Sequence, residues 1–467
     1  MDQSFVARSS IPAPAAQVFA FHERPGAFER LTPPYEKVEV VRREGSIRDG
    51  DRTVLRMKVG PLSQRWVAEH KGYEPGRQFV DVQVKGPFAA WEHTHRVEPA
   101  EGGGSTMIDE VAYALPLGAL GRVFGGRLVE RRLQRMFRYR HEVLAHDARL
   151  HALAGERRLK VAVSGASGLI GTSLRALLET GGHEVLPIVR RAPRDGEIGW
   201  SPRDGEIDRA ALSGADAVIH LAGESIAQRW TEAAKARIRG SRVEGTALLA
   251  EAIASLDAPP KTFVSMSAVG FYGDTGPLPV DEDAPAGDGF LAEVCRAWEE
   301  ASWRARDVGV RVVNPRMGVV LSPAGGALAK MKTPFSLGLG GPVGDGAQPM
   351  AWVSIDDAIG ALYYALLDDA LEGPVNVVAP APVDNETFTN TLGGVLRRPT
   401  PFSIPAAAVK LALGEMGEAT LLGGQRALPT RLEAAGYPFA HRHLEPALRH
   451  VLGKPGGRGS RALEASP

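Results

Sequence analysis

Two hydrophobic rhythms divide the chain. In its first third, apolar and polar residues alternate with a period of two, most clearly in Phe79-Val-Asp-Val-Gln-Val84 and Trp91-Glu-His-Thr-His-Arg-Val97. Alternation of this kind puts successive side chains on opposite faces of a strand and predicts half-buried β-structure. Further β-type segments are expected at 4–11, 37–43, 52–59, 66–73 and 107–113, with a short helix at 14–21 and a hairpin loop at Gly102-Gly-Gly-Ser105. From 123 to 153 the rhythm becomes helical. Val129, Leu133, Met136, Phe137, Val143 and Leu144 recur on one face, with arginines between them. An antiparallel sheet closed over one long helix is the simplest packing, so residues 1–152 are expected to form an α+β domain. Trp91, His93, His95 and Val97 then point to one face. No metal is expected on His93 and His95, because no third ligand is evident.

After a polar linker at 153–158 the pattern becomes α/β. Buried strands at 160–164, 184–189, 217–221, 262–267 and 311–314 alternate with helices at 169–180, up to about 255, and at 290–308. Alternating strands and helices imply a doubly wound parallel sheet of the Rossmann type over 159–400. From about Pro405 the chain is leucine-rich and helical, which predicts a C-terminal helical subdomain at 401–455 and a disordered tail at 456–467.

Composition narrows the function. The chain has 467 residues, 44% hydrophobic and 24% charged, as in globular proteins, with a formal net charge of zero. Nothing suggests a nucleic-acid or anionic-membrane partner. Cys295 is the only cysteine, so no intramolecular disulfide can form. The N-terminus has no apolar signal core, and no stretch is long and apolar enough to span a bilayer. A cytoplasmic protein is the expectation.

The candidate chemistry begins at Gly165-Ala-Ser-Gly168-Leu-Ile-Gly171, which follows an apolar strand and opens a helix. The first glycine allows a tight turn, the second admits a pyrophosphate, and the third lets helix pack on strand. The helix N-terminus then offers free N–H groups to phosphate. Gly165, Ser167, Gly168, Leu169, Ile170 and Gly171 are therefore expected to hold a dinucleotide. At the end of the next strand, where an acidic residue would bond an NAD ribose, stand Arg190 and Arg191. Two guanidinium groups suit a 2′-phosphate, so NADP is expected, with NAD possible; the alternative is a solvated pair.

Beyond the turn come His220-Leu-Ala-Gly-Glu224, Ser265-Met-Ser-Ala-Val-Gly-Phe-Tyr-Gly273 and Trp352-Val-Ser-Ile-Asp-Asp357. This order resembles the extended, atypical short-chain dehydrogenase/reductases. Residues 159–455 are most similar to their nucleoside-diphosphate-sugar epimerase-like group, through Leu221-Ala-Gly-Glu-Ser-Ile-Ala227, Arg229-Trp-Thr231, Tyr272-Gly-Asp274, Leu337-Gly-Leu-Gly-Gly-Pro342, Ala351-Trp352 and Gly423-Gly-Gln-Arg-Ala-Leu-Pro429. The resemblance implies that Leu221, Ala222 and Gly223 run beside the cofactor and that Ser267 occupies the catalytic serine position. The first third of the chain, by its element order and its Trp91-x-His-x-His strand, resembles the helix-grip, START-like superfamily of polyketide-cyclase and coenzyme-Q-binding relatives. That implies a cavity for an apolar ligand, lined by Trp91, His93, His95 and Val97 unless these are ordinary core or surface residues.

The departures from the pattern bear on catalysis. The helix after the serine strand reads Phe290-Leu-Ala-Glu-Val-Cys-Arg-Ala-Trp-Glu-Glu, without the Tyr-x-x-x-Lys that moves the proton accompanying hydride transfer. Tyr272 is the substitute donor, helped by a cation such as Arg242, or else a wall of the pocket. Glu224 and Arg242 are expected to pair near the cofactor or to be solvated. Asp356 and Asp357 read as helix-capping residues, His441 and His443 as exposed, and Cys295 as core. Three functions remain open: an NADP(H)-dependent oxidoreductase or epimerase, a cofactor-binding sensor that has lost catalysis, and a handler of apolar molecules that reduces or senses them.

Overall fold

The computed structural model describes residues 3–59 and 62–455, so the tail expected from 456 lies outside the described residues. The chain divides into two compact units, one formed chiefly by residues 1–155 and the other by most of 156–449. In the first, a seven-stranded sheet runs antiparallel throughout. Its strands are Gln3–Ile11, Ser105–Ala114, Ala90–Pro99, Gln78–Lys85, Leu62–Glu74, Arg52–Val59 and Val38–Glu44, in spatial order. The long helix spans Gly118–Ala154 and starts earlier than its apolar rhythm shows, because Gly121, Gly125 and Gly126 are accommodated within it. It buries Leu133, Phe137, Val143 and Leu144, four of the six residues that predict its face. On the strand Ala90–Pro99, Trp91, His93, His95 and Val97 are all buried, as period two requires.

The second unit is a parallel sheet with helices. Seven of its nine strands run in the order Ile198–Ser201, Glu184–Val189, Lys160–Ser164, Ala217–His220, Thr262–Ser265, Arg311–Met317 and Gly373–Val377, each of these neighbouring pairs parallel, while Glu206–Ile207 adds an antiparallel edge to Ile198–Ser201 and Ser267–Ala268 pairs parallel with Arg311–Met317. The order reverses between Lys160–Ser164 and Ala217–His220. Open α/β sheets bind ligands in the crevice at such a reversal, outside the carboxyl ends of the strands. The core beneath is aliphatic and aromatic, with Val218, Leu249, Ile253, Phe263 and Val312 buried completely.

Some elements depart from the sequence reading. The helix expected at 290–308 is two, Phe290–Ala301 and Trp303–Arg306, with Ser302 turning its hydroxyl back to the Glu299 carbonyl at 2.6 Å. The strand expected at 311–314 continues to Met317, because Pro315 is accommodated opposite Val375. Ser354, not the aspartates after it, caps the helix Ile355–Leu367, accepting from the Asp357 amide. Asp357 instead accepts from the amides of Ala440 and His441. That contact leaves the His441 side chain only 11% exposed, where a solvated histidine was expected. Among the described residues no helix is long and apolar enough to cross a membrane.

Candidate functional site

The glycine turn joins the strand Lys160–Ser164 to the helix Leu169–Thr180. Gly165 adopts φ +69°, and a Cβ there would stand 2.9 Å from the Ala222 nitrogen and the Leu221 carbonyl carbon. At Gly171 a Cβ would meet the Gly165 carbonyl oxygen at 2.2 Å and the Ala166 Cα at 2.8 Å. Both positions thus exclude a side chain for reasons internal to the fold. Gly168 differs. It is exposed, and a Cβ there would touch only the Gly165 carbonyl, at 3.3 Å. Among the described residues, nothing else stands within 4 Å of that Cβ. Ser167 is likewise exposed, and the amides of Leu169, Ile170 and Gly171 stand in the helix's first turn, where intrahelical partners are lacking.

The end of the strand Ala217–His220 is tied to this turn by Ser164. Its Oγ lies 2.6 Å from His220 Nδ1 and accepts from the Leu221 amide at 3.2 Å. Leu221 and Ala222 are thereby held beside Gly165. Arg242 lies across Gly223 and stacks on Trp298, 5.1 Å from the ring centre. Its Nη1 donates to the Glu224 carbonyl at 2.9 Å, while the Glu224 carboxylate accepts from Gln228. Of the two expected outcomes, a carboxylate–guanidinium pair or solvation, neither is seen: both residues are half-buried and meet through the Glu224 backbone. Arg190 and Arg191 are both exposed at the end of the strand Glu184–Val189. Arg191 is already engaged: its two terminal nitrogens reach the Glu197 oxygens at 2.7 and 2.5 Å, and this contact holds the Glu197 carboxyl down to about 2.

His220 is completely buried. Burial first, and then the nearby Arg242 charge, lower its pKa to about 3 from an ordinary 6.5. Since the unfolded chain takes up the proton first, this histidine's contribution to stability is present above pH 6.5 and lost as pH falls toward 3. Acidification between about pH 6.5 and pH 5 should therefore weaken the second unit by up to about 1.4 kcal/mol per pH unit from this group. Denaturant midpoints at the two pH values measure it. His220→Asn should flatten that slope, and an unchanged slope would assign the effect elsewhere.

Ser267 and Tyr272 are only 1% and 4% exposed, and both hydroxyls are engaged. Ser267 Oγ donates to Glu299 Oε1 at 2.6 Å, and Tyr272 donates to Asn376 Oδ1 at 2.8 Å. Between them lies Arg316. It makes a two-pronged contact with Glu299, both bonds 2.9 Å, and donates through Nη1 to the Tyr272 hydroxyl at 2.9 Å. The cation beside Tyr272 is thus Arg316, not Arg242. Burial pushes the Tyr272 phenol up to about 12 despite the pull of Arg316, so it is a poor proton donor at neutral pH. Cys295 is buried nearby and its thiol is likewise pushed up to about 12, chiefly by burial. Sequence reading missed Arg316, Glu299 and Asn376. The loop after Tyr272 also receives the motif 423–429: Gly424 donates to Asp274, Gln425 to the Gly273 carbonyl, and Arg426–Ala427 pairs with Pro279–Val280.

A separate cavity of about 510 Å³ opens in the first unit, walled by apolar residues such as Leu55, Met57, Trp66 and Phe79. Its size falls within the range of about 300–1,000 Å³ usual for small-molecule sites. His22, His70, Asp81, His93 and His95 also face it. Burial pushes Asp109, behind them, upward, but the imidazoles of His95, His141 and His93 outweigh it and hold the carboxyl well below its usual range.

Residues 161–378 match the NAD-dependent epimerase/dehydratase family, 404–451 a domain of unknown function, and 11–137 the polyketide cyclase/dehydrase and lipid transport family. An epimerase family protein of Mycobacterium bovis is 48% identical over 298 residues, 63% of this chain and 98% of its own length. The crystal structure of a nucleoside-diphosphate sugar epimerase from Corynebacterium glutamicum is 35% identical, with TM-score 0.80, and the match covers 96% of this chain and 90% of that one. A human epimerase family protein crystallised with NADPH is 38% identical with TM-score 0.59, covering 63% of this chain and 99% of its own.

Proposed function

Since the chain belongs to the NAD-dependent epimerase/dehydratase family, we propose that its second unit binds NADP(H) on the turn 165–171 and uses it to reduce or epimerise a substrate. The carrying observation is Gly168, the one glycine of the turn that the protein's own packing does not demand. The amides of Leu169, Ile170 and Gly171 would take the pyrophosphate, assisted by Gly165 and Ser167. Leu221, Ala222, Gly223, Glu224 and Arg242 would border the rest of the cofactor. When bound, it supplies a hydride. The human relative's crystallisation with NADPH supports the phosphorylated form. The first unit would hold an apolar molecule in its cavity, a reading supported by the lining and by the lipid-transport family match.

A second reading, a cofactor-binding sensor without turnover, is favoured by the engaged hydroxyls of Ser267 and Tyr272. In this second reading the two hydroxyls hold the loop in place; in the first, Tyr272 would be the proton donor beside Arg316. Following NADPH absorbance against a panel of carbonyl compounds separates the readings. Sustained oxidation establishes the enzyme; tight NADPH binding without oxidation of any panel member favours the sensor.

Cofactor choice is a sharper test. A guanidinium–phosphate contact contributes about 1–3 kcal/mol. Arg190→Ala with Arg191→Ala should therefore erode preference for NADPH over NADH by roughly ten- to a hundred-fold. Because Arg191 must leave Glu197 to help, Arg190→Ala alone should account for most of the loss. Equal weakening of both cofactors in fluorescence titrations would mean that the pair does not meet the 2′-phosphate.

A further inference from the structure

We propose that the cavity of the first unit holds one divalent transition-metal ion of the zinc class, on Asp81, His93 and His95. His93 and His95 occupy alternate positions of the strand Ala90–Pro99, so both point inward. Asp81 lies on the adjacent strand Gln78–Lys85, directly opposite His93 in the register. Residues paired in this way share a face of the sheet. The third donor that the His-x-His segment lacks in sequence is therefore supplied from across the strand pair.

The donor atoms are spaced as a metal needs them. One ligand atom from each residue lies within 4.8 Å of the other two. Asp81 Oδ2 is 3.1 Å from His95 Nε2 and 3.7 Å from His93 Nδ1. Four ligands at the usual zinc bond lengths of about 2.0–2.1 Å stand about 3.3 Å apart along the edges of a tetrahedron. Two imidazoles and a carboxylate form a donor set typical of zinc and of non-haem iron, with a coordination position left open.

A second layer of contacts orients all three. The ring nitrogens facing away from Asp81, His93 Nε2 and His95 Nδ1, each lie 2.8 Å from Asp109 Oδ1. The His95 contact is close without being aligned as a hydrogen bond. Asp109 Oδ2 is held at 2.6 Å by His141 Nε2, and His141 Nδ1 reaches Ser9 Oγ at 2.8 Å. The other Asp81 oxygen lies 2.9 Å from His70 Nε2. Carboxylates behind ligating histidines fix the ring orientation and raise basicity, and they are a regular part of metal sites. Charge balance points the same way: a dication would neutralise Asp81 and Asp109, two carboxylates set beside an apolar cavity. All three ligands line that cavity, so the open position would face an oxygen of whatever apolar molecule enters. The rival arrangement is a set of protonated imidazoles paired with the same carboxylates and no metal.

The full-length protein, stripped with a chelator, should be titrated with Co²⁺ and then Zn²⁺. We expect one equivalent of Co²⁺ to produce the intense visible bands of a four-coordinate site, and one equivalent of Zn²⁺ to abolish them. Asp81→Asn, at a side chain 25% exposed, and His95→Gln should each weaken Zn²⁺ binding by about 100-fold or more. NADPH affinity and the far-ultraviolet spectrum should stay unchanged. If His95→Gln does not fold, Asp81→Asn and the wild-type Co²⁺ spectrum decide. Absence of stoichiometric uptake by the wild type, or a loss under about tenfold in folded Asp81→Asn, overturns the site in favour of the protonated network.

Discussion

Gly168→Asp should abolish NADPH binding, weakening it by at least about 100-fold, while leaving the protein folded. The two halves of this expectation have separate causes. The position is exposed, and a Cβ there meets only the Gly165 carbonyl, at 3.3 Å, a contact that a few tenths of an ångström relieve. Stability should therefore change by no more than about 1 kcal/mol, as for substitutions outside the core. A bound pyrophosphate, however, would have to share that space with a carboxylate. It would also lose the advantage of the helix N-terminus, whose free amides and positive dipole end would face the aspartate instead. Gly171→Ala provides the contrast. There a single methyl collides with the Gly165 carbonyl oxygen and the Ala166 Cα, so the turn itself must move and both stability and binding should fall. Denaturant midpoints and NADPH titrations on the two variants give the comparison. A Gly168→Asp protein that binds NADPH like the wild type would place the cofactor elsewhere, and one that unfolds would show that the exposed space is structural.

The difference between what was legible in the chain and what was not follows from sequence distance. The glycine turn is local: the strand Lys160–Ser164, three glycines and the helix Leu169–Thr180 follow one another without a break and carry the whole geometric requirement, and period-two alternation likewise needs only neighbours. Arg190 and Arg191 were legible as a pair, but Glu197, which already occupies Arg191, was not, because it lies in a turn with no rhythm of its own. Arg316 was hidden beyond the expected end of its strand at 314, and its partners Glu299, Tyr272 and Glu282 lie 17, 44 and 34 positions away. Asp81 stands 14 positions before His95, and only the strand register brings them together. Short strands toward the ends of the sheet, Ile198–Ser201 and Gly373–Val377, were obscured by Gly and Pro within or beside them.

Removing the Arg316 guanidinium should produce the largest loss of stability in the second unit. The residue is 3% exposed, and its partner Glu299 is 8% exposed. Both Glu299 oxygens accept from it, the Tyr272 hydroxyl and the Glu282 carbonyl accept from its remaining nitrogen, and its plane lies 3.5 Å from the centre of the Phe271 ring. In Arg316→Leu the Glu299 carboxylate stays buried with only the Ser267 hydroxyl to answer it. Leaving one member of a buried pair uncompensated costs about 3–5 kcal/mol. Arg316→Lys should recover little, because an ammonium cannot supply the two-pronged geometry or lie flat on the ring. Arg316→Met combined with Glu299→Met should recover most of the loss, since removing both charges also removes the desolvation that each requires. Tyr272→Phe should cost far less, about 1–2 kcal/mol, because it deletes one hydroxyl from a network that otherwise persists. That ranking, measured by denaturant unfolding, also bears on catalysis. If Tyr272 is a strut, its phenylalanine variant loses stability and keeps whatever turnover the protein has. If it is the proton donor, turnover collapses while stability barely moves. Arg316→Leu unfolding at the wild-type midpoint would mean that the buried pair is not what holds Ser267 and Tyr272 in place.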